Sequence, residues 1–155
     1  MAEPIIIYGN SGTGKSTSLE NFGEDEIFLI NVIGKRLPFK KQFKYTVTMD
    51  DAERIKKALL KCPDYIKVIV IDDAGYLMTN QFMAGHSGDK SGGNTFDLFN
   101  KIADSFWSLI NAIKALPDDK LVYLTLHEDT NDFGQKKLRT IGKLLNEKVC
   151  IEGMW

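Results

Sequence analysis

The residues from Gly9 to Ser16, Gly9-Asn10-Ser11-Gly12-Thr13-Gly14-Lys15-Ser16, match G-x-x-x-x-G-K-[ST] at every fixed position and directly follow the apolar run Ile5-Ile6-Ile7-Tyr8. A strand, a glycine-rich turn and a helix start in that order can curl successive backbone amides around a phosphate. Gly9, Gly12 and Gly14 clear side chains from the places where the backbone must approach closely or take positive φ. Lys15 is then expected at the β- and γ-phosphates, Ser16 at Mg²⁺, and Thr17 near the α-phosphate, with Asn10, Ser11 and Thr13 filling the loop. The alternative, a glycine-rich turn with a chance lysine, does not explain the strand before it and the helical signal after it.

Two further pairs could act on a bound phosphate. Val68-Ile69-Val70-Ile71-Asp72-Asp73 is an apolar strand ending in carboxylates, the Walker B pattern, expected beside the phosphate loop with Asp72 holding Mg²⁺ or its water ligands. Asp73 stands where many P-loop ATPases carry a carboxylate base, usually Glu, so a shorter Asp implies slow hydrolysis or another base. A strand-end turn or a helix cap is the competing reading for Asp72 and Asp73. His127 and Glu128 follow the apolar run Leu121 to Leu126, and ligands of open α/β sheets bind at the carboxyl ends of strands. His127 is therefore a candidate sensor of the γ-phosphate and Glu128 a substitute base; a histidine satisfied by backbone and a solvent-facing glutamate are the plain alternatives. His86 has no such placement.

The elements that must position these residues alternate between strand and helix patterns, which predicts a parallel α/β sheet. Strands are expected at 4–9, 26–33, around 46–48, 67–73 and 121–126. Helices are expected at 15–22, from a cap at Asp50 or Asp51 to Lys61, over 95–116 and over 140–149. Residues 79–94 carry four glycines among polar residues and read as a long mobile loop. A chain of 155 residues, 43% hydrophobic and with formal net charge −1, suits one domain over residues 1–155 and has no global pull toward nucleic acid or membrane. Neither a leader nor a spanning segment is recognisable, which leads to a cytosolic expectation. Cys62 and Cys150 are far apart and read as ordinary thiols.

The phosphate loop, the Val-Ile-Val-Ile-Asp-Asp strand, the strand ending Thr125-Leu126-His127-Glu128 and the lysine-rich step after it resemble phage-encoded P-loop ATPases with a RecA-like core, including short annealing and recombination ATPases of phages and prophages. The resemblance runs from about Ile5 to Gly153. It implies a three-layer RecA-like P-loop domain in which Gly9 to Ser16 bind ATP, Asp72 supports Mg²⁺ and His127 senses the γ-phosphate, working in phage DNA metabolism in the host cytoplasm. Against the family pattern the chain stops at Ile151-Glu152-Gly153-Met154-Trp155, so a C-terminally short sheet is expected, with Trp155 on the core or in a homo-oligomer contact.

A DNA partner would need a local patch. Lys35, Arg36, Lys40, Lys41 and Lys44, with Phe39, Phe43 and Tyr45 interleaved, suit phosphate contacts and base stacking on a single strand. A solvated hairpin with its aromatics turned into the core fits the same residues. Lys136, Lys137 and Arg139 form a second cluster, suited to DNA, to a neighbouring subunit's γ-phosphate, or to nothing beyond a charged helix entry. The only arginines are Arg36, Arg54 and Arg139, few for a kinase that clamps two phosphorylated substrates. No Asn-Lys-x-Asp follows a strand, which argues against a GTPase. An ATP-dependent binding module with little turnover is the first alternative to an ATPase, with a small-molecule or nucleotide kinase behind it.

Overall fold

The computed structural model describes residues 1–86, 92–141 and 154. In it β1 (Glu3–Gly9), β2 (Ile27–Asn31), β3 (Tyr45–Thr48), β4 (Val68–Asp72) and β5 (Leu121–Thr130) form a parallel sheet in the order β1-β5-β4-β2-β3. The helices are α1 (Ala52–Leu60), α2 (Tyr76–Gly85) and α3 (Gly92–Lys114), and a short strand β6 (Lys136–Leu138) folds back antiparallel on the end of β5. The α/β class and RecA-like sheet expected from the sequence are present.

The period of two along each strand divides the core. Phe28, Ile30, Ile69, Ile71, Val122, Leu124 and Leu126 face α1, α2 and α3 in the larger core. Ile27, Leu29 and Val70 face the other way and pack with Leu19 and Phe43. By the same alternation Asn31, Asp72, Thr125 and His127 fall on this second face, at the carboxyl ends of their strands.

The Walker B strand does not lie beside the phosphate loop's strand. β5 is inserted between β1 and β4, with Gly9 opposite His127 and Val68 opposite Leu121. That insertion makes β5 the direct neighbour of β1 at His127 and puts β4 one strand further away.

Three local expectations are corrected. The helix expected over 15–22 is only a 3₁₀ turn, Thr17–Asn21, because the hydroxyls of this Ser-Thr-Ser run compete for backbone: Ser18 Oγ donates to the Lys15 carbonyl at 2.6 Å. Part of the expected 79–94 loop is helix: α2 is held by Leu77 and Met78 in the core and by Phe82 stacked on Phe99 of α3, packing that outweighs the nearby glycines; residues 87–91 lie outside the described residues. β5 runs past Leu126 to Thr130, because Asn131 and Gly134 close a tight turn that lets β6 pair with it. The helix expected over 140–149 lies, from residue 142 onward, outside the described residues, as do Cys150 and Trp155.

Candidate functional site

The loop after β1 is shaped by its glycines. Gly12 and Gly14 take φ of 80° and 90°, conformations that β-carbon sterics disfavour. Thr13 donates from both its amide and its hydroxyl to the Asn10 carbonyl. Lys15 folds back over the loop, its Nζ donating to the carbonyls of Gly9 and Asn10 at 2.7 Å each. Burial, partly opposed by the charge of Asp73, holds the Lys15 ammonium below its ordinary value. With only a 3₁₀ turn behind it, the loop lacks a full helix to supply an N-terminal dipole. The loop amides and Lys15 are the groups here whose chemistry suits an anion.

Ser16 and Asp72 meet across the sheet, with Ser16 Oγ 3.1 and 3.0 Å from the two carboxylate oxygens of Asp72. Asp72 is fully buried, and its Oδ1 also accepts from Thr125 Oγ1 at 2.6 Å. Thr125 Oγ1 in turn accepts the amide of Asp73 at 2.8 Å. One threonine on the inserted strand therefore fixes both acidic residues, a role that the sequence reading missed. Its only signal was its position two residues before His127. Hard oxygen donors side by side beside a phosphate loop fit Mg²⁺, which takes few protein ligands and the rest from phosphate and water.

Asp73 is the one non-glycine residue with positive φ among the described residues, at 58°. Aspartate tolerates this region better than most residues, and the turn leaves its carboxylate buried beside Lys35 and His127. Lys35 Nζ lies 2.6 Å from Asp73 Oδ2. The contact is a short ion pair whose carboxylate end is buried. Burial alone would lower the Lys35 ammonium, but its contact with Asp73 and that residue's charge outweigh burial and hold it above its ordinary value.

His127 Nε2 is 3.7 Å from Asp73 Oδ1, and the ring meets Tyr76 edge to face. Burial, followed by the charge of Lys15, pushes the imidazole below its ordinary 6.5, so it is neutral at pH 7. Glu128 alternates to the other side of β5 and pairs with Lys136 at 2.5 Å, which occupies the carboxylate that the sequence offered as a second base.

Ser11, Gly12, Gly14, Lys15, Ser16 and Thr17 share one cavity of about 180 Å³ with Lys35, Arg36, Pro38, Asp73 and His127. The phosphate loop, the residue after the Walker B strand and the tip of β5 are thus brought to one place, as expected. Lys35 and Arg36, which the sequence grouped with a DNA patch, line the same cavity. Lys40 and Lys41 line an adjoining groove of about 780 Å³ with Leu37, Phe39 and Gln42, and Lys35, Arg36 and Pro38 line both. Phe43 is 5% exposed and Lys41 Nζ donates to the carbonyls of Glu20 and Phe22, so part of that patch is turned into the fold.

A family model described as an AAA domain matches residues 2–151. The chain belongs to the AAA domain family. In this AAA-type P-loop ATPase domain the G-x-x-x-x-G-K-[ST] pattern spans Gly9 to Ser16. No curated protein matches this AAA domain. Among solved structures it is similar to one described as a prototypical ATPase from the type III secretion system of pathogenic bacteria, with 18% identity and a TM-score of 0.52. The match covers 94% of this chain and 47% of that one, so the AAA domain spans about half the length of that protein, and at this identity the likeness shows the fold. No helix among the described residues is long and apolar enough to cross a membrane.

Proposed function

We propose that this AAA domain, acting as one domain over residues 1–155, binds MgATP and hydrolyses it to ADP and phosphate. The observation that carries the reading is the cavity in which the loop amides and Lys15 face Asp73 and His127, with Ser16 and Asp72 paired at its edge. Ser16 and Asp72 would hold Mg²⁺, which supplies charge neutralisation on the phosphates when bound. Lys15 and the amides stabilise charge on the transferred phosphoryl group. Asp73 takes the proton from the attacking water as the bond between the β,γ-bridging oxygen and the γ-phosphorus breaks, and neutral His127 orients that water or the γ-phosphate. Phosphate release by the wild type with Mg²⁺ and ATP, set against Lys15→Ala and Asp73→Asn, tests this. Turnover that survives both substitutions overturns it.

The resemblance to phage ATPases supports a finer reading, in which turnover serves phage DNA metabolism in the host cytoplasm and a homo-oligomer engages single-stranded DNA along Lys40, Lys41 and Lys44, with Lys35 and Arg36 at the junction. The groove beside Phe39 has room for such a strand. Binding that weakens and loses salt dependence in a Lys40→Ala/Lys44→Ala variant is the expected result; no binding by the wild type at low salt removes it. The contact of Asp73 with Lys35 favours a second reading, a nucleotide-switched binding module with little turnover. Tight MgATP binding with negligible phosphate release in the presence and absence of DNA would establish it.

A further inference from the structure

A second cavity adjoins His127. It holds about 290 Å³ and is bordered by Tyr76 and Thr79 of α2, by Arg139 and Thr140 just past β6, and by His127 itself. His127 also borders the phosphate-loop cavity, so one residue divides the two spaces. The Tyr76 ring meets the imidazole edge to face, with centroids 5.8 Å apart, and extends the partition.

Arg139 is brought there by the backbone. Its amide donates to the His127 carbonyl at 2.9 Å, which fixes the end of β6 against β5. Lys136 of the same basic cluster is already paired with Glu128. Among the described residues no carboxylate pairs with the Arg139 guanidinium. Burial and then Lys15 lower the His127 imidazole most, and the charge of Arg139 adds to them, so the guanidinium lies within electrostatic reach of the ring. A planar, permanently charged fork with a threonine hydroxyl on either side suits a tetrahedral oxyanion.

We propose that the cavity beyond His127 is a site for the inorganic phosphate that hydrolysis releases. Cleavage leaves that phosphate between ADP, held on the loop, and the His127 end of the first cavity. A rotation of the imidazole about its side-chain bonds lets the phosphate through to Arg139, with Thr79 and Thr140 donating to its remaining oxygens. The other opening, past Lys35 and Arg36, leads into the groove assigned above to a single strand. Phosphate and strand therefore have separate routes, and phosphate departs while ADP is still bound. The inference rests on the MgATP reading above.

Calorimetric titration of inorganic phosphate into MgADP-loaded wild type and Arg139→Ala tests it. Arg139 is exposed, so its removal leaves the core intact. The wild type should take up phosphate beside ADP, and Arg139→Ala should weaken that binding about tenfold or more, the worth of one charge-assisted hydrogen bond. Arg139→Lys should recover part of the loss, while affinity for a non-hydrolysable ATP analogue changes by less than about twofold. Cleavage followed by chemical quench should keep its rate in Arg139→Ala, with phosphate release, followed by a fluorescent phosphate sensor, falling behind it. Phosphate binding that is absent from the wild type, unaltered by Arg139→Ala, or lost in step with the ATP analogue overturns the inference. So does a variant that fails at cleavage itself, which would assign the guanidinium to a reacting γ-phosphate in this subunit or a neighbouring one. A wild type that binds no MgATP overturns the MgATP reading instead. Phosphate titration of nucleotide-free Lys15→Ala, with and without Arg139→Ala, then decides the site by itself, and equal binding by the two removes it.

Discussion

At the amino-terminal end of the strands Lys120 is 3% exposed, and its ammonium donates to the carbonyls of Pro63, Asp64 and Ile66. At the opposite end Lys15 and Lys35 are half in water, one resting on loop carbonyls and the other on a single carboxylate. All three are lysines next to the same sheet, but only the first has as many acceptors as protons. A cation matched in this way has no reason to move and serves the fold. A cation matched incompletely, at a mouth open to solvent, exchanges partners readily, and that is what a ligand site needs.

The comparison is sharpest in the two lysine deletions. Lys120→Ala strands three carbonyls and empties the space of the stem; it should lower unfolding free energy by about 3 kcal/mol, read by urea titration. Nucleotide affinity per folded molecule should be unchanged. Lys15→Ala should do the reverse, weakening MgATP about 100-fold in calorimetry while stability moves by less than about 0.5 kcal/mol. If either variant shows the other's pattern, the division between the two ends fails.

Smaller effects lie along β5. Thr125→Val removes the hydroxyl shared by Asp72 and the Asp73 amide, and turnover should fall about tenfold through a lower kcat, with ADP affinity kept. The smallest effect is a pH dependence. His127 is held below 6.5 mainly by burial and then by Lys15, with Arg139 and Lys35 adding and Asp73 opposing. The folded chain therefore binds fewer protons at this residue than the unfolded chain does. The stability from neutral His127 is fully present above pH 6.5 and is lost as pH falls through the lower folded value. Melting curves between about pH 5 and pH 7.5 should lose part of their acid-side slope in His127→Gln; an unchanged slope would assign it to other groups.

Legibility in the sequence followed the distance over which a constraint acts. Gly12, Gly14, Lys15 and Ser16 were readable because backbone curvature and phosphate contact demand those types at fixed local spacing. Asp72 was readable because an apolar run ending in Asp is a local pattern too. Lys35 was not, since its role depends on a turn tied by Asn31 and on a partner 38 positions away; the only local trace is Asn31-Val32-Ile33-Gly34, a turn that presents the residue after it. The order of β1, β5 and β4 is likewise a property of the whole sheet. α2 was hidden for the opposite reason, because local glycines spoke louder than the contacts of Leu77, Met78 and Phe82 with the rest of the fold.

β5 does not stop at the site. Beyond His127 it continues as a two-stranded ribbon with β6, and the amide of Arg139 donates to the His127 carbonyl. The ribbon's turn is fastened by Asn131, whose side-chain oxygen accepts the amides of Phe133 and Gln135, and it carries Phe133 outward with 90% of its surface exposed. Mechanically this is a two-stranded arm rooted in the sheet: the phenyl ring stands at its outer end, and the imidazole marks where the arm leaves the cavity beside the phosphate loop.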